Sequence, residues 1–155
     1  MFRKILVPLD GSEHSLRAFE IAVQMAKKFD GRITLIHVYS VGVRPVVMHE
    51  PTTLTPSWVP VMAPAEFSKV VDASRKAGAN ILADSKKRAE AEGIQVERLL
   101  KEGHTVQEIL KTAKEGAFDL IVMGARGVSK IREILLGSVS DGVIRNAPCP
   151  VLVTK

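Results

Sequence analysis

Three glycines and the serines beside them, close to the end of the chain, are the residues whose spacing most suggests chemistry. Gly124 follows an apolar run, Gly127 stands three residues on, and after nine more residues Gly137 precedes Ser138, giving G-x-x-G-x9-G-S. Glycine lets a ligand approach main-chain amides that a Cβ would shield, and successive exposed N–H groups can make a nest for an anion. Ser138 could cap a helix, with Asp141 completing a Ser-x-x-Asp pattern. The hydroxyls of Ser138 and Ser140 would then add donors to those of a helix N-terminus. Read this way, Gly124–Ser140 is a polyphosphate cradle, and Arg126 inside the G-x-x-G could supply a cation. The ordinary reading of the same residues is a strand-end turn, a helix start and a solvated arginine.

Asp10, at the end of an early apolar run "KILVPL", has several uses open to it. It could accept a hydrogen bond from a ribose or base, hold a cation that accompanies phosphate, or merely make the Asp-Gly turn. Other phosphate chemistries find no support. The chain has no G-x-x-x-x-G-K-[ST] and no G-x-G-x-x-G after a strand. A phosphoryl-accepting aspartate would want further acids beside it, and "VPLDGS" supplies one. His14, His37, His49 and His104 share no metal-ligand spacing, and His37, within an apolar strand pattern, reads as a core histidine with its hydrogen bond satisfied. No Ser, His and Asp set stands out as a triad. Cys149, the single cysteine, cannot form an internal disulfide and reads as an inert thiol in "PCPVLV".

The elements that must position these residues alternate. "KILVPL" is a strand ended by Asp-Gly-Ser; Ser12 caps a helix whose stripe is Leu16, Phe19, Val23 and Ala26, widened by Ala22, Met25 and Phe29. "RITLIHVY" is a second strand, introduced by Gly31 past the helix end. From Ser40 to Ala65 the pattern breaks, and five of the eight prolines fall at 45, 51, 56, 60 and 64. Such an insertion is a cover or a docking segment rather than a core element. A helix from about Glu66 to Glu92 follows, with Phe67, Val70, Val71, Ala77, Ile81 and Leu82 as its stripe. Then come a strand in "IQVERLLKEG", a helix in "HTVQEILKTAKEGA" with Thr105 and Glu108 spaced as a capping box, and a doubly buried strand in "FDLIVMGA". "SVSDGVIRNA" is a short helix and "PVLVTK" the fifth strand.

Alternating strands and helices mean right-handed crossovers and a parallel sheet covered on both faces, an α/β fold with the flavodoxin-like strand order 3-2-1-4-5. That order makes strands 1 and 4 neighbours. It places the Asp10 turn beside the Gly124 loop at the carboxyl edge, where ligands bind in such folds.

The chain of 155 residues suits one domain over 1–155, with the proline-rich insertion at about 40–65. Its apolar runs are too short for a membrane span and its start lacks a signal-peptide pattern, so the expectation is a cytoplasmic protein with no membrane partner. The formal charge of +5 is spread over helix faces with acids among the bases, and aromatics are 5% of the chain. This fits a solvated surface that attracts small anions better than a nucleic-acid site.

Taken together, "KILVPLDGSEHS", "HV" at the end of strand 2, "DLIVMGARG", "LLGSVSDGVIRNAPCPVLVTK" and the G-x-x-G-x9-G-S spacing resemble the ATP-binding branch of the universal stress protein family. The resemblance covers nearly the whole chain outside the insertion. It implies a flavodoxin-like, adenine-nucleotide α-hydrolase-like fold with ATP at the edge of strands 1 and 4. On matching positions, Asp10 and the backbone around Pro8 and Leu9 would contact the nucleoside, and Val38 the adenine through its main chain. Met123, Gly124 and Gly127 would line the ribose and first phosphates, while Gly137, Ser138, Val139 and Ser140 would hold the remaining phosphates. Mg²⁺ or Mn²⁺ could bridge those phosphates. The family's dimers commonly pair their last strands, here Val151, Leu152 and Val153, which would cover an apolar edge. The function so implied is a nucleotide-dependent stress-response module with an unknown downstream protein partner. Two alternatives stand beside it: a slow ATPase or other nucleotide-dependent enzyme, and a chaperone-like dimer that binds no nucleotide.

Overall fold

The structure is a computed structural model that describes residues 1–39, 64–127 and 136–155. Most of the proline-rich insertion, with the roles expected for it, lies outside the described residues. Strands β1 (Lys4–Pro8), β2 (Arg32–Tyr39), β3 (Val96–Glu102), β4 (Leu120–Gly124) and β5 (Val151–Thr154) form one parallel sheet in the order β3-β2-β1-β4-β5. This is the expected order, and it sets β1 between β2 and β4. Among the described residues four helices connect the strands: α1 (Glu13–Phe29), α2 (Pro64–Ala91), α3 (Thr105–Glu115) and α4 (Ser138–Asn146).

Because successive residues of a strand point to opposite faces, the central strands feed two separate cores. Ile5, Val7, Leu35 and Val122 pack with Phe19 and Val23 of α1 and Leu82 and Ala89 of α2. On the other face Leu6, Ile36, Ile121 and Met123 pack with Ile109 and Ala113 of α3 and Val143 of α4. The lone central run "LIVMG" is buried at every position, as a strand covered on both faces requires.

Gly31 lies past the end of α1 as expected, after the left-handed Asp30 (φ 51°), and donates its N–H to Ala26 C=O at 2.9 Å. Three local expectations are corrected. The stripe expected on α2 is buried only in its second half. Gly78, Leu82, Ser85 and Ala89 face the core, whereas Val70 and Ala77 are exposed. The Thr105–Glu108 capping box does not form: His104 takes the N-cap position (φ −82°, ψ 118°), with no side-chain bond, and Thr105 is already helical. Ser138 likewise is the first helical residue of α4, and Gly137 (φ −75°, ψ 162°) is its N-cap. The Ser12 cap of α1 is present, its hydroxyl accepting from Ser15 N–H at 3.2 Å.

The junction of β4 with α1 explains one of the glycines without reference to any ligand. A Cβ on Gly124 would lie 2.8 Å from the carbonyl carbon and Cβ of His14 and 2.9 Å from the Ser15 nitrogen. Two of those atoms are main chain of the first turn of α1 and cannot move aside without moving the helix. Thr154 on β5 donates to the His14 carbonyl at 3.1 Å, so the same turn is held from a second strand. Gly124→Ala is therefore expected to lower unfolding stability by about 1–3 kcal/mol through overpacking, read from urea denaturation midpoints at unchanged m-value.

Candidate functional site

At the carboxyl edge of the sheet, on the α3 and α4 face, lies a cavity of about 420 Å³. Its floor is the ends of β1, β2 and β4, through Pro8, Leu9, Ile36, Val38, Met123 and Gly124. One wall is the beginning of α4 with the turn Arg126–Gly127, and the other is the first turn of α3. All twelve residues expected from the sequence, from Pro8 to Ser140, line this one cavity. Ser15, Ile36, Thr105, Ile109 and Leu136 line it too, and no sequence motif points to them as site residues. Ile36 and Ile109 were hidden by their apolar periodicity, which reads as core, and Thr105 by its apparent role as a cap.

The two halves of the glycine motif are joined by one acceptor. Ala125 C=O accepts from Gly137 N–H at 2.8 Å and from Ser140 Oγ at 2.7 Å, and Ala125 N–H donates to Thr154 C=O at 2.7 Å. Ser140 is 2% exposed, and its hydroxyl also lies 2.9 Å from the Gly137 carbonyl. That hydroxyl is thus engaged by main chain, which corrects the expectation that it would serve as a free donor to phosphate. Its main-chain N–H and those of Ser138 and Val139 remain at the start of α4, where a helix leaves its first amides without intrahelical partners.

Asp10 is set by its own turn. Its Oδ1 accepts from Ser12 N–H at 2.9 Å, and its Oδ2 looks toward Gly127, where a Cβ would sit 2.5 Å from it. The Ser12 hydroxyl, 3.4 Å from the Arg126 carbonyl, ties this turn to the one after β4. The carboxylate, the G-x-x-G turn and the α4 start therefore form one connected surface, in which Gly127 is the position that leaves room for Asp10.

The end of β2 offers a different kind of contact. On the β1 side, Ile36 C=O accepts from Leu9 N–H at 2.8 Å; on the β3 side, Tyr39 C=O accepts from Gly103 N–H at 3.1 Å. Parallel strands turn the N–H and C=O of alternate residues to alternate sides, so Val38 turns both toward β1. The β1–β2 register stops at Pro8↔Ile36. The next carbonyl, that of Leu9 just past β1, lies 2.7 Å from His37 Nδ1, which fixes Nδ1–H as the donor. Val38 thus presents a donor and an acceptor side by side over the cavity floor. His37 is the satisfied histidine its apolar surroundings suggested.

Among the described residues no three His, Cys, Asp or Glu are grouped to hold a metal ion. No helix among them is long and apolar enough to cross a membrane.

The parallel sheet in the order β3-β2-β1-β4-β5, with helices on both faces, is of the adenine-nucleotide α-hydrolase-like class, the fold of the solved structures it resembles. Within it, the universal stress protein family model matches residues 1–155, and the chain belongs to that family. It is 37% identical to the universal stress protein YxiE of Bacillus subtilis over the full length of both chains. Among solved structures it is similar to protein MJ0577 (TM-score 0.78, 26% identity, covering 100% of this chain and 96% of that one). It is also similar to a universal stress protein in complex with cAMP (TM-score 0.65, 29% identity, covering 99% and 97%).

Two measurements follow from this geometry. Ser140→Ala should cost about 1–2 kcal/mol of stability, the worth of a buried hydrogen bond, by urea denaturation. Cys149 lies outside the cavity, and burial, with the Asp119 charge second, pushes its thiol above the ordinary value. At pH 8 it should therefore react with iodoacetamide more slowly in the folded protein than in 6 M urea, with equal rates contradicting this.

Proposed function

We propose that this cavity binds an adenine nucleotide, ATP foremost, and that the protein is a nucleotide-dependent stress-response module. The observation that carries the reading is the Ala125 carbonyl shared by Gly137 N–H and Ser140 Oγ, which makes the two glycine segments one surface. That surface can take phosphates on the amides of Gly127, Ser138, Val139 and Ser140, with the Arg126 charge at the rim. The Oδ2 of Asp10 suits a ribose hydroxyl, as an acceptor beside the G-x-x-G turn. The Val38 pair, N–H donor and C=O acceptor, matches N1 and the N6 amine of adenine, whereas guanine offers a donor at N1 and an acceptor at O6. The cAMP complex of a relative supports the nucleotide class.

A divalent cation, Mg²⁺ or Mn²⁺, would take most of its ligands from the phosphates, since Asp10 is the cavity's one carboxylate among the described residues. The reading is one of binding. An aspartate whose Oδ1 is already engaged by Ser12 N–H is placed to hold a ribose, and it can be tested separately as a base.

The protein is further proposed to act as a homodimer paired through β5. This strand ends the sheet, and Ile121 N–H and Ala125 N–H donate to the carbonyls of Pro150 and Thr154. By alternation, Val151 and Val153 turn their main-chain groups to the open edge, where a second copy can pair. Val153→Pro removes an outward N–H without touching the β4 ladder. It should convert the dimer to monomer in light scattering with the circular dichroism spectrum retained; a parent protein that is already monomeric overturns the pairing.

Calorimetric titration with ATP tests the site. The parent should bind. Gly127→Val, which drives a branched side chain at Asp10, should lose binding by at least about 100-fold. Ser138→Ala should weaken it by about 3- to 10-fold, one neutral hydrogen bond. No heat from the parent, or unchanged affinity in both variants, contradicts the assignment.

A further inference from the structure

The rotation of α3 about its own axis is fixed by contacts unrelated to any ligand. Ile109 and Ala113 are 1% exposed in the core beneath it. One turn earlier and to the side, Val106 meets α4, where a Cβ on Gly142 would lie 3.1 Å from both of its methyl groups. With Ile109 down and Val106 against α4, Thr105 falls on the same face as Ile109, four residues before it. At that position the sheet has ended, and Thr105 lines the cavity where Ile109 lines the core.

Thr105 differs chemically from the rest of that end of the cavity. The lining residues contributed by β2 and by α3 beside it are Ile36, Val38 and Ile109, all apolar side chains. The other polar side chains lining the cavity come from other elements: Asp10 and Ser15 from the β1–α1 turn and the start of α1, and Arg126, Ser138 and Ser140 from the glycine segments. The Thr105 hydroxyl is not used as a cap, because His104 holds the N-cap position and no side-chain bond closes the helix start. Glu108, the would-be partner of the capping box, lies back against Gly103, its Cγ 3.2 Å from where a Cβ would be. Among the described residues the hydroxyl has no hydrogen-bond partner. Thr105 is half-buried, and a heterocycle that covered its hydroxyl in this apolar slot would take it out of water, which separates a ligand able to satisfy it from one that cannot.

We propose that Thr105 is a specificity-determining residue for the base, its hydroxyl bonding a ring nitrogen or exocyclic group of the heterocycle whose other edge meets the Val38 main chain. The proposal rests on the nucleotide reading of the cavity and adds to it a side chain on α3. It divides the cavity into a base end governed by α3 and β2 and a phosphate end governed by α4, so substitutions at the two ends have different signatures.

The test compares Thr105→Val with Ser138→Ala, measuring the affinities of ATP and GTP for each by calorimetry or by competition with a fluorescent ATP. Thr105→Val keeps the β-branched shape and removes only the hydroxyl. Thermal melts of the unliganded proteins should coincide within about 2 °C, showing an intact helix. Thr105→Val should weaken ATP by about 3- to 10-fold, the worth of one hydrogen bond. It should also shrink the ATP-to-GTP preference by a similar factor, and Thr105→Ser should restore both. Ser138→Ala should weaken ATP and GTP equally and leave the preference intact. An unchanged preference in Thr105→Val, in a parent that binds ATP, overturns the role of Thr105 alone. A parent that binds neither nucleotide overturns the nucleotide reading on which it rests.

Discussion

A single carbonyl does the joining on which the site depends. Ala125 follows β4, accepts from the amide that opens α4 and from the Ser140 hydroxyl one turn into it, and donates its own N–H to β5. Hydrogen bonds of this kind are worth only about 1 kcal/mol each in net stability. Their larger effect is geometric, because they fix where the free amides of α4 point relative to the Gly124–Gly127 turn. Pre-organised donors of this sort bind an anion without first having to be ordered, which is where much binding energy is otherwise lost. The Ser12 bond to the Arg126 carbonyl extends the same connection to Asp10 and β1.

The strand order and the glycine spacing are legible in the sequence because they rest on strong periodicities and rigid spacing, whereas Pro8, Leu9, Val38, Met123 and Val139 are pointed to by the family resemblance and Ile36 and Ile109 by neither. A buried run such as "LIVMG" and the glycine positions leave few alternatives. Where spacing and structure differ, the cause is another. A capping box at Thr105 or Ser138 rests on spacing alone, but a cap depends on which residue first turns helical. Here tertiary contacts begin each helix one residue away from the apparent signal: Gly137 is drawn to Ala125 C=O at the start of α4, and α3 is set by Ile109 and Val106. The α2 stripe is buried over only part of its length because periodicity says that a face is apolar and not where the sheet beneath it stops.

The roles of individual glycines also separate only in three dimensions. Gly124 answers to the main chain of α1, Gly127 to the carboxylate of Asp10, and Gly137 to the geometry of a helix start. In sequence they form one motif, yet only Gly127 faces a group that a ligand would also contact. The same holds for the serines: Ser140 is an internal brace, whereas Ser138 is exposed at the first helical position. A motif of this type therefore mixes residues that build the cradle with residues that meet its contents. Substitutions at the first kind should act through stability, and at the second through affinity.

The central claim is that one connected cavity edge binds an adenine nucleotide. Its most direct measurement is an amide NMR titration of the uniformly ¹⁵N-labelled protein with ATP. The account predicts saturable shifts concentrated at Val38, Asp10, Gly127, Ser138 and Val139, with the amides of β3 and the far end of α2 unmoved. Absence of saturable shifts, or shifts centred on a different surface, would contradict it.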